Sequence, residues 1–584
     1  MQDRNIQNLD ILSREKENPI YRIPATIQKA DAAPGQRILV FSDIHGYLNR
    51  LIQLLRKLDY GGDDIIVVVG DLVDKGPESL RVVQYLLDLS RRHPVYISMG
   101  NVDLDRIQYF MEDSIKTDQE FVDYLKKFAR SEKWGGSIGQ DMLEDLGVGV
   151  EQVTVQNASG YRRMIKEHFR EELDFLGQCP TILAIGDYLF VHGGVPTDDL
   201  TALEGTSAYQ YLKWDHFLEQ GYGFQKYTVV TGHYPTVLYK DTEDMSPLFD
   251  LDRRVIGIDG GCGLKAAGQL NCLVLPGCNA KMEDISWDYF DEFPKVKALE
   301  AQTGSPSSVF ANYFDSKVEI LEEFGRTSKV RHLSTGKIFD LPRDWVAVWS
   351  DGKYHCEDYC DRELNVAAGE ELSVIFETRA GRYVKKQGQQ IGWYHGAAES
   401  MEKELQLVKG APRYGNWLRE RELAAYGLLQ RLGIPFERID HEVANNMEAC
   451  REIDRVLDAV ICKNLFLCNR QRTKFYLLMM PGNKKFKTKE LSEQIGSSRL
   501  SFGEAVYMER LLCVTPGSLS VMGLMNDREG RVQLLVDRDI LKGEQLGCHP
   551  CMNTSSIRLG ISDLLEKFLP AVQHEPVFVD LAGK

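Results

Sequence analysis

VFSDIHG, residues 40–46, ends an apolar run with Asp43 and His45. Four more stretches share the pattern: VVVGDLVDKG (67–76) with Asp71, SMGNVD (98–103) with Asn101, FVHGG (190–194) with His192 and VVTGHYPT (229–236) with His233. Each apolar, β-branched run reads as a buried strand ending in a turn, so each polar side chain is delivered at a strand's C-terminal edge. Carboxylate, amide and imidazole donors meeting there suit Mn, Fe or Zn rather than a thiolate centre, and one carboxylate can bridge two ions about 3.5–4 Å apart.

A lone histidine after a strand is usually a packed or surface residue. Here Asp-x-His, Gly-Asp-x-x-Asp-x-Gly and Gly-Asn-x-Asp come in that order, separated by βα units, and two glycine-flanked histidines follow. Over roughly residues 37–280 the chain resembles the metallophosphoesterase superfamily. LDFLGQCPTILAIGDYLFVHGGV (173–195) is similar to the serine/threonine protein phosphatase and diadenosine tetraphosphate hydrolase branch. The resemblance implies a β-sandwich flanked by helices and two divalent metal ions, manganese foremost, with iron or zinc as alternatives. One metal would be held by Asp43, His45 and Asp71, the other by Asp71, Asn101, His192 and His233. Such a pair lowers the pKa of a shared water, clamps phosphoryl oxygens and offsets the charge of an in-line displacement.

Lys75 stands where protein phosphatases carry Arg, and the resemblance implies that it holds phosphate as a point charge instead of a planar fork. The family usually reads Gly-Asn-His-Asp or Gly-Asn-His-Glu, and that His protonates the leaving oxygen. This chain has Val102 there, which cannot donate a proton, followed by Asp103, kept in the catalytic set. A positioned general acid contributes about 10²–10⁴-fold. The expectation therefore moves from protein phosphatase toward phosphodiester, phosphoanhydride or nucleotide substrates.

A second informative region spans about residues 415–580. KFYLLMM and VQLLVD read as strands, and TKELSEQIG and ISDLLEKFL have helical spacing with Thr and Ser placed to cap. LLQRLGIPFERIDHE, KNLFL, GSSRLSF, VTPGS and the HPxxNT segment resemble the free-standing prolyl-tRNA deacylases of the YbaK-like editing family. The resemblance implies hydrolysis of an aminoacyl ester on the tRNA 3′ end. Lys463 would hold the terminal ribose-phosphate region, the Gly517–Ser518 turn would supply backbone N–H groups, and His549 with Asn553 would shape the amino-acid pocket. Such labile esters need mainly orientation and donors around the developing oxyanion. Val521 and Cys551 replace a Pro and an Asn common in the family.

Residues 401–584 hold 26 Lys+Arg against 24 Asp+Glu, net +2, so the chain's −16 leaves −18 on residues 1–400. Arg470, Arg472, Lys474, Lys484, Lys485, Lys487 and Lys489 cluster near Lys463, the usual electrostatic footprint for a phosphate backbone, which the resemblance implies is that of tRNA(Pro). A solvated lysine-rich loop would look the same. The acidic half argues against broad nucleic-acid binding by the phosphoesterase. With 584 residues, 43% hydrophobic and 27% charged, several cores are expected. No 18-residue apolar run or signal segment is seen, so no membrane association is expected. The twelve Cys form no disulfide-like framework, which fits a cytoplasmic protein. Cys548 and Cys551 have C-x-x-C spacing, but no second pair completes a zinc set.

The expected fold class is multidomain α/β: an N-terminal arm (1–36), a metallophosphoesterase domain (37–280), a small β-rich connector (281–400) and a mixed α/β editing domain (401–584). Residues 104–172 read as a helical insertion, either a substrate-selecting cap or a structural bundle. Two functions follow from these readings. One is a bifunctional hydrolase acting on a phosphate ester or nucleotide and on mischarged aminoacyl-tRNA(Pro). The other is a tRNA- or nucleotide-sensing protein in which one or both sites bind without turnover.

Overall fold

The computed structural model describes residues 19–582 except 112–113, 132–133, 379–380, 402–407, 410–419, 442–452, 454, 483, 498 and 515–516. Residues 1–18 of the expected arm and the Thr515–Pro516 part of VTPGS lie outside the described residues. The chain divides into two compact units, the first holding Met1–Glu144 and Val148–Glu402, the second Lys403–Lys584 and Asp145–Gly147.

Eleven strands build the phosphoesterase-like part of the first unit: β1 (Ile27–Ala30), β2 (Ile38–Phe41), β3 (Ile65–Val69), β4 (Val95–Ser98), β5 (Ile182–Ile185), β6 (Tyr188–Val191), β7 (Thr228–Thr231), β8 (Leu248–Asp250), β9 (Val255–Gly257), β10 (Leu270–Leu275) and β11 (Ser286–Phe290). They form one sheet in the order β11-β10-β2-β3-β4 and another in the order β1-β5-β6-β7-β9-β8. β2 and β3 are buried along their whole length, as strands covered on both faces must be, and so they read as continuous apolar runs without alternation. Ile38, Val40, Ile65, Val67 and Val69 pack with Leu183, Ile185, Phe190, Val230 and Ile256 of the other sheet. Full burial of each such side chain contributes roughly 1.5–3 kcal/mol.

β2, β3 and β4 run parallel, as do β6, β7 and β9. The C-terminal ends of each trio therefore share one edge. Residues 27–30, read in the sequence as part of a lead-in, form β1 and pair with β5. A four-residue strand with Gln28 and Lys29 in it shows too little periodicity to be told from a loop.

Within 281–400, strands Gln390–Tyr394, Arg382–Lys386, Glu371–Glu377, Lys295–Ala298 and Ala398–Ser400 form an antiparallel sheet in that order. Phe339, Trp345, Tyr359, Tyr383 and Trp393 are buried in a core that also takes in Val237, Met245 and Ala267, from the loops after β7 and β9. This β-rich segment thus shares its interior with the phosphoesterase loops.

In the second unit the strands run in the order Val408–Lys409, Phe436–Asp440, Ser555–Gly560, Gln545–Cys548, Val460–Asn469, Phe475–Pro481, Val532–Asp537 and Val577–Val579, with Leu500–Phe502 also paired to Val460–Asn469. Leu477, Met479, Leu534 and Leu546 of these strands pack against Leu512, Phe568 and Leu569 from the helical segments. No helix among the described residues is long and apolar enough to cross a membrane.

Candidate functional site

Asp43 follows β2, Asp71 follows β3, Asn101 follows β4, His192 follows β6 and His233 follows β7. Asp43, His45, Asp71, Lys75 and His233 all have positive φ, between 48° and 72°. Left-handed backbone at a non-glycine residue costs of order 1–3 kcal/mol and persists only where the surroundings impose it. Two tight approaches do so here. A Cβ on Gly70, itself at φ +74°, would stand 2.6 Å from His192 Nδ1, and one on Gly100 would strike the Asp71 amide. Only glycine lets the β3 and β4 turns meet.

Asp43, Asp71 and His192 each offer a ligand atom, and these atoms lie within 4.8 Å of one another. His192 Nδ1 lies 2.7 Å from the Val69 carbonyl and His45 Nδ1 lies 3.0 Å from the Val73 carbonyl. A carbonyl only accepts, so in each ring Nδ1 donates and Nε2 faces the cluster, the orientation that a ligating imidazole needs. His192 Nε2 is 3.4 Å from Asp71 Oδ1 and 3.1 Å from Asn101 Oδ1; His45 Nε2 is 3.6 Å from Asp71 Oδ2 and 3.8 Å from Asp43 Oδ1. The His233 ring packs 5.2 Å from that of His192, centroid to centroid, and its amide donates to Asp43 Oδ2 at 3.0 Å. The structure thus gathers ligand atoms of Asp43, Asp71 and His192, with His45, Asn101 and His233 as their neighbours.

The electrostatics ask for positive charge. Burial works to raise the Asp71 carboxyl, but His192, His45 and Lys75 outweigh it and hold it well below the usual carboxylate range. Burial opposes a charge on His192, and Asp71 and Asp43 overcome it, holding the ring up at about 10. Burial, then the Lys75 charge, press His45 down to about 3, so it stays neutral. Asp43 Oδ1 is buried with no hydrogen-bond partner. An orphaned buried carboxyl oxygen beside the His45 ring is costly unless a partner satisfies it, and this donor set fits divalent metal ions.

Val102 is 9% exposed, and its amide donates to Asp71 Oδ1 at 2.9 Å. Asp103 is buried, accepting at Oδ1 from the Leu72 and Val73 amides, at 2.9 and 3.3 Å, and at Oδ2 from the Gly100 amide at 3.2 Å. Burial and the Asp71 charge push its carboxyl up to about 7. Every one of these bonds goes to the main chain of the ligand-bearing turns, so the carboxyl positions the loop. Lys75 Nζ lies 2.6 Å from His45 Nε2. Burial lowers its pKa, opposed by Asp71, Asp43 and Asp259. The predicted insertion is helical, with helices Asp118–Lys127, Ile138–Asp145 and Ala158–His168, and it is wired to the site. The Lys75 amide donates to the Gly136 carbonyl and the Gly135 amide to that of Lys75.

Two acidic residues escaped the sequence reading. Asp215 accepts from His233 Nε2 at 2.7 Å. Asp259, just after β9, is 1% exposed, with Oδ1 held by the Gly261 amide at 2.8 Å and Oδ2 unpartnered. Burial, then the Asp43 charge, push its carboxyl well above the ordinary range. Its signal was present: VIGIDGG repeats the design of an apolar run, an acid and glycines.

In the second unit, Lys463 is exposed on Val460–Asn469, opposite Met480. Gly517 has φ +84°, and a Cβ there would meet Asn553 Nδ2 at 3.2 Å, so these two predicted residues are neighbours. His549 Nδ1 lies 2.9 Å from the Ser555 carbonyl, and burial lowers its pKa. His441, not singled out in the sequence, has its ring 6.2 Å from that of His549 and its Nε2 3.0 Å from Ser556 Oγ. Of the basic cluster, Lys484 is committed to Asp537 and Asp539, each at 2.7 Å, and Arg472 to Glu504, whereas Arg470, Lys474, Lys485 and Lys487 are exposed. Cys548 and Cys551 are buried, with burial pushing both thiols up, which is the state of packed cysteines.

The calcineurin-like phosphoesterase family matches residues 36–256, and the aminoacyl-tRNA editing domain family matches residues 441–567. The prolyl-tRNA editing protein ProX of Acetoanaerobium sticklandii is 30% identical over 148 residues, 25% of this chain and 90% of that protein. Over its C-terminal part the chain belongs to the editing-domain family. In the editing half, prolyl-tRNA synthetase associated domain-containing protein 1 of Danio rerio is 29% identical over 153 residues, 26% of this chain and 82% of its own. In the phosphoesterase half, the symmetrical bis(5'-nucleosyl)-tetraphosphatase of Buchnera aphidicola subsp. Schizaphis graminum is 39% identical over 74 residues, 12% of this chain and only 26% of that enzyme. The phosphoesterase and editing folds are thus fused in one hydrolase chain.

Proposed function

We propose that the chain is a bifunctional hydrolase: a dinuclear metal-dependent phosphoesterase, with manganese foremost and iron or zinc as alternatives, and a deacylase of mischarged tRNA(Pro). The phosphoesterase reading is carried by the Asp43–Asp71–His192 cluster with His45 beside it, in which two imidazoles are turned by backbone carbonyls to present Nε2 and one carboxyl oxygen is left unsatisfied. Asp43, His45 and Asp71 would hold one metal, and Asp71, Asn101, His192 and His233 the second. A bound metal pair supplies a water acidic enough to attack phosphorus at neutral pH. Asp71, between the two histidines, would contribute to both metals. Lys75 would steady a phosphoryl oxygen, and Asp103 fixes the turn that carries Asp71. Asp215 orients the His233 ring. With valine at 102 the family's usual acid for the leaving oxygen is missing, which favours nucleotides and phosphoanhydrides, in keeping with the tetraphosphatase similarity.

The editing reading is supported by the extensive likeness to the prolyl-tRNA editing protein and by the neighbouring Gly517 and Asn553. Lys463 would contact the terminal nucleotide, and His549 with Asn553 would border the amino-acid pocket. The domains proposed are 37–280 for the phosphoesterase, extended by the β1 and β11 strands of its two sheets, and 401–584 for the deacylase. The full chain with Mn²⁺ should hydrolyse a dinucleoside polyphosphate faster than an alkyl phosphate and should deacylate alanyl- or cysteinyl-tRNA(Pro). Binding of either substrate without turnover would refute the corresponding half.

A further inference from the structure

A run of aromatic rings leads from the metal-binding cluster to the surface of the β-rich segment. His233 is bonded to Asp215, and the residues next to each of them, Tyr234 and His216, pair with ring centroids 4.7 Å apart and Tyr234 Oη 3.1 Å from His216 Nε2. His216 has φ 60°, a left-handed conformation that turns its ring out of the regular chain path. On its other side lies Phe314, 5.8 Å away, followed by Tyr313 at 5.5 Å from Phe314 and Trp349 at 5.6 Å from Tyr313.

Phe314 and Tyr313 are each 58% exposed, among the most exposed large apolar side chains of the chain. Their loop is not slack. Asn312 Oδ1 accepts from the Phe314 and Asp315 amides at 3.0 and 3.2 Å, and Trp349 is backed by the parallel His355 ring at 4.0 Å. Two bare rings held in place at the end of a run of rings that starts next to His233 cost solvation energy and serve no core.

We propose that Phe314 and Tyr313, with His216, form a stacking platform for the base of a nucleotide whose phosphates lie at the Asp43–Asp71–His192 cluster. This rests on the phosphoesterase reading and assigns the β-rich segment a part in substrate selection. A base suits the platform because its π-face stacks on any aromatic ring without needing hydrogen-bond readout, and a nucleotide carries base and phosphate on one short frame.

The test compares ATP with inorganic tripolyphosphate, the same phosphate chain without a base, on the full chain with Mn²⁺. The wild type should favour ATP. Phe314→Ala should raise KM for ATP about tenfold, within the range of one base–ring stack, with kcat and the tripolyphosphate reaction little changed, and Phe314→Trp should restore KM. Equal treatment of the two substrates by the wild type, an unchanged KM for ATP in Phe314→Ala, or an equal loss on both substrates would overturn the platform while leaving the phosphoesterase intact. A phosphotyrosyl peptide that depends on Phe314 as ATP does would reassign the surface to peptides. Inactivity of the wild type on ATP, tripolyphosphate and an aryl phosphate alike would defeat the phosphoesterase reading and the platform with it.

Discussion

The Val102 amide donates to Asp71 Oδ1 at 2.9 Å, so the residue that lacks an acidic side chain still serves the cluster through its main chain. Its missing proton has a kinetic signature. Rates should fall steeply as leaving-group pKa rises, and Val102→His, which keeps the amide, should help alkyl phosphates more than nitrophenyl phosphate. Initial rates across a series of esters decide this. A flat dependence in the natural protein means that another group already acts as the acid.

Asp71→Asn should abolish phosphoesterase activity and lower the metal content from about two ions per chain, because Asp71 lies between His45 and His192 at 3.6 and 3.4 Å. Elemental analysis and an aryl phosphate assay read both effects. Full activity in the variant would remove Asp71 from the metal set.

Asp103→Ala leaves the Leu72, Val73 and Gly100 amides without their acceptor. Unsatisfied buried donors cost roughly 1–3 kcal/mol each. Denaturant unfolding should show a clear loss of stability, and metal affinity should weaken, because the Asp71 turn loses its brace. A variant with unaltered stability and metal affinity but no turnover would instead make Asp103 a catalytic residue.

Burial, then the Asp358 charge, push the Glu243 carboxyl to about 8. Folded protein thus keeps this proton up to about pH 8, whereas unfolded chain sheds it near the ordinary 4.5. Glu243 therefore contributes fully below pH 4.5, and its contribution is lost as pH climbs toward 8. Glu243→Gln, neutral throughout and still able to accept from Tyr383 Oη, should gain in melting temperature relative to wild type between pH 5 and 8. Parallel curves of Tm against pH would show that Glu243 ionises normally.

Lys463 is exposed on its strand, so Lys463→Ala should spare folding while abolishing deacylation of mischarged tRNA(Pro) and leaving phosphate ester hydrolysis untouched. Wild-type tRNA binding should weaken with added salt as phosphate counterions are released. Filter binding and deacylation on the same samples separate the two effects, and an active Lys463→Ala would discharge this residue.

The sequence by itself determined where the candidate ligands stand, because apolar runs of four or five residues specify buried strands and whatever polar residue follows is placed at the strand end by local geometry. That is how Asp43, Asp71, Asn101, His192 and His233 were legible one by one, and Asp259 could have been. Likewise the motifs of the C-terminal half were readable without coordinates. Only the tertiary structure decided how these residues act on one another. The left-handed turns at Asp43, His45, Asp71 and His233 are imposed by contacts such as His233 with Asp43, 190 residues apart. The Lys75–His45 contact, the three amides on Asp103 and the bond from His233 to Asp215 depend on side-chain directions that no periodicity encodes. The same holds for residues 281–400: alternating aromatic strands show that a face must be buried, but which surface covers it is settled by packing, here on Val237, Met245 and Ala267 beside the site.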